Sequence, residues 1–111
     1  MADKLPPIPT SISDDYPVLW EAYLGLGQAA SIAGPLDDRT CRLVHLALAI
    51  GLGSEGATHS HTRRALAEGH AANEIEHVAL LAVTTLGWPQ AMRGLSWVRD
   101  MTRQAADSKP G

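Results

Sequence analysis

From Ile75 to Leu86 the apolar residues Ile75, Val78, Ala79, Ala82, Val83 and Leu86 recur at i, i+3, i+4, i+7, i+8 and i+11. That spacing places all of them on one face of a 3.6-residue repeat, a face that is buried by packing helix on helix. The rest of the chain repeats the signal between glycine stops. Ser13-Asp14-Asp15 starts a first helix, with Pro17 tolerated in its first turn and Leu19, Tyr23, Leu26 and Ala30 as its stripe, before Gly34-Pro35. Asp37 or Asp38 caps a second, whose Leu43, Val44, Leu46, Ala47, Leu48 and Ile50 are apolar nearly all round, up to Gly51 and Gly53. A third runs from Ala57 to Glu68 and stops at Gly69, and the fourth carries the 75–86 stripe. Gly87-Trp88-Pro89 breaks that one and opens a fifth, marked by Ala91, Leu95, Val98 and Thr102. No segment alternates as a strand would. The expectation is an all-α chain of five helices, with an extended arm over 1–12, one helical domain over 13–105 and a frayed tail over 106–111.

Composition narrows the function classes. The formal net charge is -3, so there is no cationic surplus to neutralise phosphates and nucleic acid is not an expected partner. No apolar run reaches membrane-spanning length and the first fifteen residues hold no apolar signal core, so the expected setting is cytoplasmic, away from any membrane. A single cysteine, Cys41, excludes a disulfide or a two-cysteine redox cycle within one chain. There is no Phe, and much of the apolar content is Ala. Side chains that small bury little area in about a hundred residues, which favours recovering burial between subunits in a homo-oligomer.

Five histidines are the compositional excess that bears on chemistry. His61 sits on a helix face with Ala57 and Ala65, which suggests an imidazole set into an apolar layer, where its pKa can cross neutrality and it can act as acid or base. His59 and His61 form an H-x-H pair, but at i and i+2 on a helix they point about 200° apart, so one helix cannot offer both to one metal. A loop over 54–60 would permit it, with Glu55 as third ligand. His59 otherwise joins Thr62, Arg63 and Leu66 at a subunit contact or in solvent. His45 is expected packed within its helix layer, His70 solvated in a turn, and His77 at an inter-helix contact. Arg63-Arg64 reads as a solvated face that becomes an anion holder if His61 is catalytic.

The order and spacing of Leu36-Asp37, Arg42-Leu43, His61, Ala65, Gly69, Glu74-Ile75, Val78, Gly87, Pro89 and Ala91-Met92 resembles the carboxymuconolactone decarboxylase / alkyl hydroperoxidase D-like family over residues 36–95. The resemblance implies an all-α alkyl hydroperoxidase D-like helical domain that assembles as trimers or hexamers. The family's peroxidase branch carries C-x-x-C-x-x-x-H and an upstream glutamate relay. Aligned on His61, the cysteines become Ser54 and Ala57 and the relay glutamate becomes Arg42, so the chain resembles a branch lacking the redox cysteines, and thiol peroxidase activity is not expected. The decarboxylase branch has a glutamate four residues before the histidine, and that position is also Ala57.

The reading that follows is acid/base chemistry (decarboxylation, isomerisation or lactone chemistry) on a small carboxylated or carbonyl compound, without a cofactor. His61 is the acid or base, Glu55 or His59 orients it, Arg64 or Arg42 holds an anionic group, and Trp88 lines the pocket. Two alternatives stand beside it: a non-catalytic oligomer that binds a small molecule or partner protein, and a histidine metal site between subunits built from His59, His61 and Glu55.

Overall fold

The computed structural model describes residues 12–107, which are helical with no strand among them. The arm expected over 1–12 lies, apart from Ile12, outside the described residues, as does the tail from 108. Ile12 begins a helical turn, and the tail's residues 106 and 107 close the last helix. The chain divides into two compact units after Leu36.

The first unit carries α1 (Pro17–Ile32), with proline in its opening turn. Its stripe Leu19, Tyr23, Leu26 and Ala30 forms as a helix, yet none of its residues is buried. Trp20 and Tyr23 stack with ring centroids 5.6 Å apart.

The second unit holds α2 (Asp38–Leu52), α3 (Glu55–Ala67), α4 (Ala72–Leu81), α5 (Val83–Leu86) and α6 (Trp88–Asp107). The Asp37 carboxylate accepts the Thr40 N–H at 2.8 Å and caps α2, and Ser54 Oγ accepts the Ala57 N–H at 3.1 Å and caps α3. The expected fourth helix is split at Ala82, whose N–H turns back to the Ala79 carbonyl at 3.1 Å. The β-branched run Val83-Thr84-Thr85 that follows is itself helical, as α5, and the tightened turn falls just before it. The apolar stripe carries through, because Ile75 and Ala79 are buried and Val78, Ala82 and Leu86 pack against the core.

That core joins Leu46 and Ile50 of α2, Ala65 of α3, Ile75 and Ala79 of α4, and Leu95 and Val98 of α6. Small residues bring the helices close. A Cβ on Gly94 would stand 2.6 Å from Ile50 Cγ2, so α6 approaches α2 at a distance only glycine allows. Gln90 Nε2 donates to the Ile50 and Gly51 carbonyls at 3.1 and 2.9 Å and closes the end of α2 from α6. Across α4 and α6, the Glu76 carboxylate accepts from Thr102 Oγ1 at 3.0 Å and from Arg99 Nε at 3.4 Å.

One expectation is corrected on α3. Its buried stripe is Thr58, Thr62 and Ala65, whereas Thr62 is expected at a subunit contact or in solvent. The hydroxyls of Thr58 and Thr62 each donate to a carbonyl one turn back, at 2.7 Å, so both side chains enter the core with their polar atoms satisfied.

On its other side α2 is open. Val44, Ala47 and Leu48, with Val78, Leu81 and Leu86 of α4 and α5, line an apolar groove of about 860 Å³. The all-round apolar character of α2 therefore corresponds to one face in the core and one along this groove.

Candidate functional site

Arg39 and Arg42 lie one turn apart on α2 and both reach the turn that ends α3. Arg42 grips Glu68 with two parallel bonds, Nε to Oε1 and Nη2 to Oε2, each 2.9 Å. Arg39 Nη1 reaches the Glu68 carbonyl at 3.5 Å and its Nη2 meets His70 Nδ1 at 3.3 Å. The turn can present Glu68 and His70 side by side because Gly69 between them takes φ +97°, a conformation other side chains rarely adopt.

This arrangement corrects His70. It is buried, not solvated, with its ring between the two ends of Arg39. His70 Nε2 is 3.2 Å from the Arg39 carbonyl, which can only accept, so Nε2 carries a proton, while Nδ1 lies 3.3 Å from Arg39 Nη2 and 3.5 Å from the Glu74 carboxylate.

The third donor of Arg42, Nη1, lies 2.8 Å from His61 Nδ1. A guanidinium cannot accept, so Nδ1 holds the lone pair and Nε2 carries the proton of the neutral ring. Burial, then Arg42, then Arg64 and His45, push the His61 pKa down to about 4, with Glu68 opposing weakly. The bond from Arg42 keeps the Glu68 carboxyl below its ordinary range. At neutral pH the site is thus a neutral imidazole presenting Nε2–H, beside a guanidinium locked to a carboxylate.

His61 does not lie in the apolar layer suggested by Ala57 and Ala65; it turns to the charged side of α3, half-buried. The reason is local: the core face of α3 is taken by Thr58, Thr62 and Ala65. His45, expected packed, is exposed, and its ring stands 5.5 Å from that of His61 at 38°. Arg64 is exposed and acts on His61 through charge.

The geometry brings together His61, Arg42 and Arg64 of the expected residues and adds Glu68 and His45. It does not bring Glu55 or His59 to His61. His59 Nε2 faces Asp100 Oδ2 at 2.9 Å and Glu55 Oε2 at 4.0 Å, away from the Arg42 cluster. Trp88 opens α6 and is 63% exposed. The apolar groove is lined by other residues, His77 among them, and not by His61. Sequence reasoning missed Glu68 because a glutamate at a helix end reads as solvated. The available signal was Arg39 and Arg42 at i and i+3, a pair of cations aimed along one face.

A family model for the carboxymuconolactone decarboxylase family matches residues 17–100. The chain belongs to this family. A carboxymuconolactone decarboxylase family protein from Legionella pneumophila, solved in its apo form as lpg0406, is similar at a TM-score of 0.75 and 21% identity, over 86% of this chain and 84% of that one. At that identity the likeness is one of fold. No curated protein matches. Ser54 and Ala57 are here a capping pair, the hydroxyl of one holding the amide of the other. Cys41 lies half-buried in the opening turns of α2.

Proposed function

We propose that this carboxymuconolactone decarboxylase-like chain catalyses decarboxylation, isomerisation or lactone chemistry on a small carboxylated or carbonyl compound, with His61 as the central group. These reactions share one demand: negative charge gathers on a carbonyl oxygen as a C–C, C–H or ester bond is remade. In decarboxylation the electron pair of the breaking C–C bond moves onto that oxygen as CO₂ leaves, and a proton from solvent later completes the product.

The observation that carries the reading is the 2.8 Å contact from Arg42 Nη1 to His61 Nδ1. It fixes the tautomer, so that a neutral Nε2–H is free to donate to the developing oxyanion. His61 with Nδ1 engaged is a donor or acid; to serve as a base it must first release Arg42. Arg64 supplies the positive field for a substrate carboxylate, while Arg42 is occupied by Glu68 and His61 and positions the ring. Trp88, Glu55 and His59 have no support in the geometry as members of this site.

The test is turnover of carboxymuconolactone and related small lactone and keto acids by wild type, His61→Ala and Arg42→Met. Loss of the donor is expected to lower kcat by about 10²-fold or more. Equal rates in wild type and His61→Ala on any accepted substrate reject the role.

A second reading, a binding module that assembles as a homo-oligomer in the cytoplasm, draws its support from the apolar groove of about 860 Å³ along α2 and α4. The family resemblance suggests trimers or hexamers for such an assembly. Sedimentation velocity over a range of concentrations tests it, and a monomer throughout rejects the oligomer.

A further inference from the structure

Apart from the His61 cluster, α3 and α6 bring a second set of titratable groups together. Glu55 opens α3, His59 follows one turn later on the same face, and Asp100 faces them from α6. One ligand atom from each, two carboxylate oxygens and an imidazole nitrogen, lies within 4.8 Å of the other two. We propose that Glu55, His59 and Asp100 form a binding site for a divalent transition-metal ion, for which Zn²⁺ is the probe.

The spacing supports it. Ligand atoms about 2.0–2.2 Å from a metal stand about 2.8–3.6 Å apart across octahedral and tetrahedral geometries. His59 Nε2 and Asp100 Oδ2 are already 2.9 Å apart, and Glu55 Oε2 is 4.0 Å from the same nitrogen. The Glu55 side chain is 60% exposed, so its carboxylate can close the remaining ångström by rotation. The chemistry supports it too. Among the described residues neither carboxylate has an Arg or Lys within ion-pair distance, and His59 is the ion-pair partner of both. One imidazole can neutralise one carboxylate at most, so the cluster keeps a negative charge that a divalent ion would cancel. The nitrogen ligand favours zinc, nickel or cobalt over calcium and magnesium, which prefer oxygen throughout. Binding takes the Nε2 lone pair, so the imidazole proton moves to Nδ1. Three protein ligands leave the remaining positions to water. His61 is absent from this set, being on the Arg42 side of α3.

The test uses the untagged full chain, stripped with EDTA and titrated calorimetrically with Zn²⁺. One ion per chain is expected. Asp100→Asn, His59→Gln and Glu55→Gln should each weaken the dissociation constant by about tenfold or more, while His61→Gln leaves it unchanged. Glu55 is exposed at a helix start, so its variant reports even if another fails to fold. Absence of Zn²⁺ binding by the wild type, binding untouched by all three substitutions, or binding weakened by His61→Gln overturns the proposal.

Discussion

At His61 a single hydrogen bond decides what the ring can do. Arg42 occupies Nδ1 and, after burial, is the largest influence holding the pKa near 4. Arg42→Met removes a positive neighbour and a bond to the neutral form, so the His61 pKa should rise from about 4 toward the ordinary 6.5. A proton NMR titration of the imidazole resonances checks this, and an unmoved titration would refute the assignment. That His61 stands apart from the other histidines was legible from its spacing to Ala65 and Gly69. Its surroundings were not, because the threonines filling the core face of α3 look polar until their hydroxyls are seen to bond within the helix. Thr62→Val should therefore be close to neutral, within about 1 kcal/mol in urea unfolding, since it removes only a local side-chain bond to a carbonyl of the same helix.

Between elements, the closest approach is α6 on α2 at Gly94. Adding a methyl there drives it against Ile50 Cγ2, a branch near the backbone that cannot swing away. Overpacking of this kind costs about 1–3 kcal/mol, against about 1 kcal/mol regained in helix propensity. Gly94→Ala should lower Tm by roughly 5 °C, read by circular dichroism. Gly56→Ala, with open space around it, should hold or raise Tm. The five long helices and the cap at Asp37 were readable from periodicity, capping residues and glycine stops; the third helix starts at Glu55, two residues before the expected Ala57, because Ser54 caps it. The break at Ala82 was not, for no proline or glycine marks it. The turn at 68–70 was hidden for a different reason: its bonds to Arg39 and Arg42 span 26 to 31 positions of sequence.

For the second unit as a whole, acid should be destabilising in two stages. His61 has a folded pKa below its unfolded value, so between pH 6.5 and about 4 the unfolded chain binds the extra proton and stability falls as pH falls. Glu68, also depressed, adds its loss below its ordinary range, where its bond to Arg42 is protonated away. Urea midpoints measured from pH 7.5 to 4 should decline, and His61→Gln should flatten the first part of that decline. At this scale the all-α class and the family were legible, because helical spacing and motif order survive without knowledge of contacts. The division after Leu36 was not, since α1 carries the same periodicity as helices that are buried. The groove beside α2 has a practical corollary. A lone chain in dilute solution presents an oily trough that should light up an environment-sensitive dye such as ANS. If copies seal one another's troughs, that fluorescence per chain must fade as the protein is concentrated.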